Sequence, residues 1–523
     1  MGKFLAVIIA CCILGAAGAG VRRAYAETVA PSFSEEQEKA WQFVTGAWRM
    51  GEGVLEQQQA SRGSSAILKE PAFSDLTLCV EFNIRPTGTG VRAAAILFRA
   101  TGTMTHYWLH LDSKNNSVIL VRAIPTDTWI EIARKGFKIS QDAWHTAKVE
   151  CKGKAITVWI DGAEALKAED STIASGRVGL GTSQGQVAFR NLKVEGVVAP
   201  MSEPLKEEMP PYKVISRGKA SGPYQAFPDA CRLQNGDILC VFYAGYGHVS
   251  KPNAEWPKGG RVCMVRSSDE GRTWSKPEVL YDDEADNRDP HIAQMSDGTL
   301  ICSFFSPKVG AQITRSRDGG KTWEEKAQTV VAGWPCSAPV REMPDGTYIL
   351  GIYYEQGGKA WGGVTRSTDR GRTWSEPIPI GKESGAYLDA ETDVILLNDG
   401  SLFAALRSSK VNMYYAASRD LGLTWSPAQD IGFKGHAPHF TRLSAGEILL
   451  THRVPSTALH VSRDECKTWA GPYVLDTVGG AYPATVELKD GTVLAIYYEE
   501  GEGSAIRALR FRLKTERIEL LKL

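Results

Sequence analysis

The stretch Arg266-Ser-Ser-Asp-Glu-Gly-Arg-Thr-Trp274 decides the fold, because the same sequence motif recurs along the second half of the chain. The pattern Ser-x-Asp-x-Gly-x-Thr-Trp is found five times, with Cys466 in place of the glycine in the last copy. The copies begin at Ser267, Ser316, Ser367, Ser418 and Ser462, which lie 49, 51, 51 and 44 residues apart. In each copy, known as an Asp-box or BNR repeat, the Asp can accept backbone N–H groups, the Gly permits a positive φ and the Trp packs sideways. A repeat of about 50 residues made of short strands predicts a β-propeller or a solenoid.

A second landmark, a glycine turn between the first two strands of each unit, gives the number of units. The turn glycines are Gly236, Gly298, Gly346, Gly400, Gly446 and Gly491. Eight residues earlier stand Pro228, Pro290, Thr392, Pro438 and Pro483, whereas Pro339 stands only seven residues before its glycine. The spacing therefore predicts a six-bladed propeller. The last unit lacks a fourth strand, so we expect residues 212–216 to supply it and close the ring, which removes open sheet edges.

The composition narrows the class of protein. The 60 basic and 60 acidic residues balance, which argues against nucleic acid as the main partner. The 523 residues suffice for two or more domains. Eight scattered cysteines follow residue 26 with no CxxC pair, which argues against a zinc or redox motif, so we expect no metal and no cofactor. Cys231 and Cys240 flank one turn, which leaves a single disulfide open.

The N-terminus has the pattern of an export signal. Lys3 precedes an apolar run from Phe4 to about Ala17, and Ala24-Tyr25-Ala26 supplies a small-residue cleavage site. Residues 1–26 are therefore predicted to be a signal peptide and the protein to be secreted or periplasmic. Cys11 leaves a lipoprotein alternative open. We expect no membrane span elsewhere.

Residues 30–197 lack the repeat and consist of alternating strands of five to seven residues, such as Leu76–Phe82 and Ile156–Ile160. This texture predicts a β-sandwich of the jelly-roll type. The run from Trp144 to Gly181 resembles concanavalin-like, laminin-G-type domains, a family that often binds carbohydrate and includes hydrolases. A packing domain without a ligand is the alternative. Residues 198–211 read as a linker, and the all-β propeller is predicted over residues 212–523.

Charged and polar residues occupy the aligned positions that should face the central funnel. Strand alternation puts the residues immediately before and after each aligned Pro or Thr on one face. The converging set is Asp229, Asp289, His291, Glu391, Asp393, His439 and Tyr482. At the end of the second strand, where four blades have Tyr or Phe, two adjacent blades have Arg407 and Arg453. Such local rule-breaking favours a functional site.

With these residues the propeller, over half of the chain, resembles the bacterial sialidases, six-bladed propellers with Asp-boxes. In that family a Glu opening the fourth blade activates a Tyr opening the sixth, and arginines bind the substrate carboxylate. The resemblance implies that Glu391 is the activating base, Tyr482 the nucleophile, and Arg407 and Arg453 carboxylate ligands. Glu499, which follows Tyr498, resembles the Glu of a Tyr-Glu pair that ends the family's next strand.

The sequence departs from the sialidase pattern at two places: one of the substrate-binding arginines and the catalytic acid. Ala226 stands where the family's first blade has an Arg, and Arg288 occupies the same slot of the second blade, so it is predicted to supply the missing charge. The family's Asp acid, on the loop after the second strand of blade one, is also absent. Four residues remain as possible proton donors. They are Glu255 and His248 on that loop, and Asp229 and Asp289 on the strands.

Together these features predict an exported exo-glycosidase that removes a terminal acidic sugar, such as sialic acid, through Tyr482 and Glu391. The predicted partner is a carbohydrate, a glycoconjugate or polysaccharide. Arg407, Arg453, Arg288, Asp393, His291, His439 and Glu499 are the predicted substrate-binding residues. Two alternatives stay open: a propeller hydrolase or lyase for another acidic polysaccharide, and a binding protein without catalysis.

Overall fold

The structure, a computed structural model, describes residues 26–523 except 59–62, 87–91, 126, 184, 201–203, 207, 209, 219, 390, 455, 478–479 and 501–503. The predicted leader therefore lies outside the described residues, apart from Ala26. The chain divides into two compact units, Met1–Met209 and Pro210–Leu523. Both units are built from strands, and the only helices among the described residues are the 3-10 turns Glu35–Ala40 and Lys382–Ser384. No described helix has the length and apolarity to cross a bilayer.

The first unit consists of two antiparallel sheets. One sheet has the order Ala163–Glu169, Ala155–Ile160, His145–Lys152, Ala72–Ile84, Val187–Ala199, Val54–Gln57 and Trp48–Gly51, with Ala26–Val29 also paired to Val187–Ala199. The other has the order Asp127–Gly136, Ser117–Ile124, His106–Asp112, Ala93–Ala100, Arg177–Ser183, Ser64–Leu68 and Trp41–Phe43. Alternate residues of the strands, such as Leu78, Val80 and Phe82, are fully buried and form one apolar core. The predicted β-sandwich is therefore confirmed, as is the all-β fold class.

The second unit is the predicted six-bladed propeller, with the blades below given in chain order. The first blade comprises Tyr224–Arg232, Ile238–Gly245, Arg261–Ser267 and Glu278–Tyr281. The second comprises Arg288–Gln294, Leu300–Ser306, Gly310–Ser316 and Gln328–Ala332, and the third Arg341–Glu342, Tyr348–Gln356, Lys359–Ser367 and Ile378–Ile380. The fourth comprises Thr392–Leu396, Leu402–Leu406, Tyr414–Ser418 and Gln429–Asp430, and the fifth His436–Arg442, Ile448–Arg453, Thr457–Ser462 and Ala470–Asp476. The sixth comprises Gly480–Glu487, Val493–Glu499 and Ala505–Leu513 with its closing strands.

The ring is closed by strands from both ends of the propeller. Lys213–Arg217 pairs antiparallel with the first half of Ala505–Leu513. Ile518–Leu521 pairs with the second half of the same strand. The sequence predicts the first of these closing strands but not the second, which shares the outer edge of the blade.

The repeated Asp turns form the hydrogen bonds that their spelling predicts. In the first copy, Oδ1 of Asp269 accepts the Thr273 N–H at 2.8 Å and Oδ2 accepts the Thr273 hydroxyl at 2.6 Å. Gly271 has φ 83°, and Cys466 adopts φ 62° at the equivalent place of the fifth copy. Each turn therefore joins two strands with its carboxylate satisfied locally, away from the funnel.

A β-bulge opens the innermost strand in most blades, and it decides where the funnel side chains point. The residue before the aligned Pro or Thr has a positive φ in five blades: Phe227, Asp289, Glu391, Ala437 and Tyr482. Pairing registers shift at this place in blades one, two, five and six. The third blade, whose Pro stands one residue closer to its turn glycine, has no positive φ at Ala338. The bulge is thus the extra residue, and it interrupts strict alternation.

The open disulfide does not form. Cys231 is paired in register with Leu239, and Cys240 with Ala230. Side chains of neighbouring register positions point to opposite faces of a sheet. Cys231 accordingly packs in one apolar cluster and Cys240 in another, and both thiols are free.

Candidate active site

The centre of the site is a hydrogen bond between Tyr482 and Glu391. The phenolic hydroxyl donates to Oε1 of Glu391 at 2.5 Å. The same oxygen accepts Nη1 of Arg407 at 2.5 Å, and Oε2 accepts the backbone N–H of Ala437 at 3.2 Å. Glu391 is 2% exposed and Tyr482 8% exposed, so water contributes little to either group. The carboxylate is therefore fixed with one oxygen aimed at the phenol.

The β-bulges place this pair. Glu391 has φ 33° and Tyr482 has φ 47°, a region that non-glycine residues rarely adopt. Each such residue costs about 1–3 kcal/mol, and it persists where the surrounding structure holds it. The same positive φ recurs at Phe227, Asp289 and Ala437, so this backbone conformation belongs to the repeated position before the aligned Pro or Thr, and in two blades it carries the side chains that meet across the funnel.

The charges around the pair favour an ionised glutamate and a neutral phenol. Burial by itself would raise the pKa of Glu391, but the positive charge and hydrogen bond of Arg407, together with Arg453, hold that pKa below its usual value. Burial, followed by the negative charge of Glu391, raises the pKa of Tyr482 well above its ordinary value. The phenol therefore keeps its proton near neutral pH, and Glu391 is the group placed to take it.

Three arginines surround the pair and share one property. The guanidinium of Arg453 lies 4.8 Å from the Tyr482 ring centroid. That of Arg288 lies 5.7 Å from the ring centroids of Phe227 and Phe305. In Arg288, Arg407 and Arg453 the Nε atom is buried without a hydrogen-bond partner among the described residues. Nε of Arg366 and Arg507 is in the same state, so the three arginines are assigned to the site by their contacts with Glu391, Tyr482 and Phe227 and not by this property.

Asp289 is the second carboxyl of this group. Its Oδ2 accepts the Ser337 hydroxyl at 2.7 Å, and its Oδ1 is buried with no partner in the described part of the chain. It interacts electrostatically with Arg288, Glu391 and Tyr482. Burial raises the pKa of Asp289 above its usual range.

Asp229, His291 and His439 form a separate buried cluster. His291 Nδ1 lies 3.2 Å from Oδ2 of Asp229, and His439 Nε2 lies 3.1 Å from Oδ1. Both imidazoles line the same central cavity as Tyr482. The predicted converging set is therefore divided in two by the bulges, with Asp229 tied to the histidines and away from the Tyr-Glu pair.

Asp393 and Glu499, both predicted to bind substrate, need correction because arginines of the scaffold occupy their carboxylates. Asp393 accepts Nη2 of Arg341 at 2.6 Å and the Phe440 N–H at 2.8 Å. Glu499 forms an ion pair with Arg507 at 2.6 Å. Asp393 therefore links the fourth blade to the third and the fifth, whereas the ion pair of Glu499 lies within the sixth blade. The physical reason for Asp393 is the positive φ of Glu391, which turns the two carboxylates apart, and for Glu499 it is the strand face opposite to that of Tyr498.

The two loop residues predicted as proton donors differ in position. Glu255 is exposed on its loop and belongs to no cluster described above. His248 packs its ring edge on Phe227 at 5.2 Å, and its Nδ1 lies 3.0 Å from the Tyr224 hydroxyl. It also interacts electrostatically with Arg288 and Asp289. The structure thus keeps His248 and Asp289 beside the arginines.

Sequence reasoning missed His436 and Glu500. His436 interacts electrostatically with Arg407, Glu391 and Arg453, and burial, followed by the Arg407 charge, lowers its pKa to about 4. It occupies the aligned slot of Arg288, two residues before the Pro, which was the available signal. Glu500 accepts the Tyr498 hydroxyl at 2.8 Å. No sequence pattern distinguishes Glu500 from Glu499, because only strand register shows which one faces the site.

Comparisons with known protein families agree with this architecture. Residues 262–495 match the family described as a BNR repeat-like domain. Residues 30–195 match the family described as a 3-keto-alpha-glucoside-1,2-lyase-like domain. The chain therefore combines a BNR repeat-like propeller with an N-terminal domain of the lyase-like type.

Two sialidases are similar to this chain in sequence, and a solved structure is similar to it in fold. A sialidase of Bacteroides fragilis (strain YCH46) is 29% identical over 203 residues, which cover 35% of this chain and 36% of the relative. A sialidase of Micromonospora viridifaciens is 23% identical over 372 residues, covering 60% of this chain and 55% of the relative. The crystal structure of a protein of unknown function from Dyadobacter fermentans has a TM-score of 0.51 at 23% identity, covering 58% of this chain and 98% of that one.

These similarities confirm the predicted resemblance to sialidase-like propellers. The matched region spans about half or less of the length of the curated relatives.

Proposed function

We propose that the propeller is a sialidase-type exo-glycosidase that removes a terminal sugar bearing a carboxylate, such as sialic acid. The observation that carries the proposal is the hydrogen bond from Tyr482 to Glu391, with Arg407 bound to the same carboxylate oxygen and Arg453 against the phenol ring. A base, a nucleophile and two cations thus lie within one buried cluster.

The chemistry explains why a tyrosine suits this substrate. The anomeric carbon of a sialic acid bears a carboxylate, which repels an anionic nucleophile but not a neutral phenol. As Oη of Tyr482 bonds to that carbon, its proton passes to Glu391 and the glycosidic C–O bond breaks. Water then attacks the same carbon, gives one proton back to the group that protonated the leaving oxygen, and releases the phenolic oxygen, which recovers its own proton from Glu391. The pKa shifts of the two groups support the resting state that this step requires, an ionised Glu391 and a protonated Tyr482.

The arginines supply recognition of the carboxylate. Arg288, Arg407 and Arg453 each retain a buried Nε with no partner among the described residues. A guanidinium forms short, charge-assisted hydrogen bonds to a carboxylate, often in pairs. Arg288 replaces the arginine that the first blade lacks, so all three cations can serve one anion pocket.

The leaving oxygen also needs a proton, and two predicted donors, Asp289 and His248, lie beside the arginines. An aryl glycoside with an acidic phenol leaves without that proton, whereas an alkyl glycoside requires it. Asp289→Asn and His248→Gln, assayed on both substrates, identify the donor as the variant that loses alkyl-glycoside turnover selectively. Glu255→Gln is the matched loop control.

The test of the proposed function is direct. Wild-type protein is incubated with an aryl sialoside, with sialylated glycans and with uronate polysaccharides. We expect phenol and free sialic acid, with no unsaturated uronate ends. A fluorinated sialosyl fluoride should add one sugar mass to the wild type at Tyr482 and none to Tyr482→Phe. Cleavage of uronates alone would favour the polysaccharide alternative, and no turnover of any substrate would favour a binding protein.

We also propose that the chain is exported, on the strength of the apolar run Phe4–Ala17 and the cleavage pattern that ends at Ala26. The N-terminal sequence of the protein recovered outside the cytoplasm should begin near Glu27. Full-length protein confined to the cytoplasm would contradict export.

A further inference from the structure

The cluster of Asp229, His291 and His439 has a composition that the sialidase-type chemistry does not use. Its members come from the innermost strands of blades one, two and five, and each is nine-tenths buried or more. One atom from each side chain, two imidazole nitrogens and one carboxylate oxygen, lies within 4.8 Å of the other two. Two histidines and one carboxylate are a frequent ligand set for transition metals.

Within the described part of the chain, His291 lacks the hydrogen bonds that buried polar groups normally form, and His439 lacks one at Nδ1. Nδ1 of His291 is 3.2 Å from Asp229, but the contact lacks the alignment of a hydrogen bond. Neither ring nitrogen of His291, which is 6% exposed, has a hydrogen-bond partner among the described residues. An unpaired buried polar group costs about 1–3 kcal/mol. An ion that accepts the lone pair of one His291 nitrogen would remove part of that cost.

The carboxylate is held as a ligand would be. Oδ1 of Asp229 accepts the Ala230 N–H at 2.8 Å, and Oδ2 accepts the Ile292 N–H at 2.9 Å. Each oxygen therefore has one backbone donor and a lone pair left over, and each faces one imidazole. Backbone hydrogen bonds of this kind orient a ligating carboxylate.

The distances suit a small divalent ion. Zinc binds imidazole nitrogen and carboxylate oxygen at about 2.0–2.2 Å, so two ligand atoms of a tetrahedral site lie about 3.4 Å apart. His291 Nδ1 lies 3.2 Å from Oδ2 of Asp229, and His439 Nε2 lies 3.1 Å from Oδ1, so each nitrogen is about one such edge away from a different oxygen of the same carboxylate. All three ligand atoms lie within 4.8 Å of one another, so a small shift of the side chains would bring them around one ion.

We propose that Asp229, His291 and His439 bind one divalent transition-metal ion, of which zinc is the leading example. Calcium and magnesium are disfavoured because they prefer oxygen ligands. Three protein ligands leave a fourth position, and both imidazoles line the cavity that Tyr482 and Ser337 also line. The fourth position therefore opens toward the cavity, which is typical of zinc sites that bind water or a substrate oxygen. The ion would also tie the first, second and fifth blades together across the axis.

The histidines lie 148 residues apart in the sequence, and Asp229 lies 62 residues before the first. No short ligand spacing marks such a site, and the argument from cysteine spacing against zinc did not consider it. Only the convergence of three blades shows the set.

The experiment uses the whole protein and does not need activity. Purified protein is treated with a chelator, dialysed, and titrated with ZnCl₂ or CoCl₂. We expect one ion per chain by elemental mass spectrometry, a visible absorption band for tetrahedral Co²⁺ that Zn²⁺ displaces, and a rise in Tm on adding Zn²⁺. The Co²⁺ titration of wild type alone tests the proposal if a variant fails to fold.

A matched control is available in the fifth blade. His452 Nε2 lies 2.8 Å from His460 Nδ1 in a buried pair, and burial is the first cause that lowers the pKa of each imidazole. His291→Asn and His439→Asn should weaken Zn²⁺ binding at least about 100-fold, whereas His460→Asn should bind like wild type. Absence of the Co²⁺ band in wild type, or metal binding that survives both His291→Asn and His439→Asn, would overturn the proposal. Either result would leave the Tyr482 chemistry untouched, because dye release by Tyr482 variants is measured separately.

Discussion

Replacing Tyr482 with Phe removes one hydroxyl and keeps the ring that packs in the site. The ring retains Phe227 at 5.0 Å and the Arg453 guanidinium at 4.8 Å. Glu391 loses one donor but keeps Arg407 and the Ala437 N–H. A hydrogen bond to a charged group contributes about 1.5–3 kcal/mol, and since two donors remain we expect a loss of about 1–2 kcal/mol. For a domain of this size that lowers Tm by about 2–4 °C for each kcal/mol.

Activity should fall far more than stability. Loss of a catalytic group that acts with a partner costs about 10²- to 10⁴-fold, and loss of a nucleophile up to about 10⁶-fold. Glu391→Gln should act in the same direction, because an amide does not accept the phenolic proton. The double variant should cost about as much as the worse single one, since the two residues act as a unit. The assay is kcat for dye release from an aryl sialoside, with Tm recorded for each variant.

Tyr497→Phe is the matched control for this experiment. Tyr497 is fully buried in the same blade and donates to Oδ2 of Asp476 at 2.7 Å, but it faces away from Tyr498 and the site. Its loss should lower Tm by a similar amount and leave kcat unchanged. Full turnover by Tyr482→Phe would exclude a covalent tyrosyl route. An equal loss of kcat in Tyr497→Phe would show that damaged folding, and not chemistry, explains the result.

Three further predictions test the surrounding charges. Arg288→Ala should raise KM for an acidic sugar about 10- to 100-fold with little change in Tm, because a charge-assisted hydrogen bond is lost; unchanged kinetics would make this arginine structural. Arg407→Met should move the acid limb of kcat/KM to higher pH. With Arg407 present, the pKa of Glu391 in the folded protein lies below the ordinary 4.5, so Glu391 stays ionised until the pH falls through that lowered pKa. Without Arg407 the pKa of Glu391 rises, and the base is lost at a higher pH. Asp393→Asn should destabilise the protein by about 3 kcal/mol while KM stays constant, because Arg341 would remain without its carboxylate; a higher KM at unchanged Tm would contradict the structural assignment.

The sequence was sufficient to predict the fold because each repeat determines its turns through interactions between residues that are close in sequence. Each Asp turn has a local hydrogen-bond pattern, and the turn glycines mark the first hairpin of every blade. The positions of Glu391, Tyr482 and Arg407 followed from aligning the blades, and the structure brings these three together. The evenly spaced Asp turns and turn glycines were therefore sufficient to predict the propeller fold and the positions of these three residues.

The remaining residues depended on a feature that alternation does not encode. The extra residue before the aligned Pro or Thr, which in the fourth blade is Glu391 with φ 33°, turns its side chain away from that of Asp393. The shorter third unit was the visible sign of it, since that unit lacks the extra residue. The ion pair of Arg341 with Asp393 and the cluster around Asp229 depend on contacts between different blades. No short sequence motif marks those contacts, because the residues that make them are far apart in the chain.

The closing strand Lys213–Arg217 has a consequence for how the protein is made. The ribosome delivers this strand first, and its partner Ala505–Leu513 arrives roughly 290 residues later, about 15–60 s at ordinary elongation rates. During that interval the first unit, which ends at Met209, can fold. The propeller stays open, because the backbone N–H and C=O groups of Lys213–Arg217 have no partner strand yet. A chain interrupted before Ala505 keeps that edge permanently, and such edges recruit other chains. Translation that stalls late should therefore yield aggregates more readily than translation that stalls before the propeller begins.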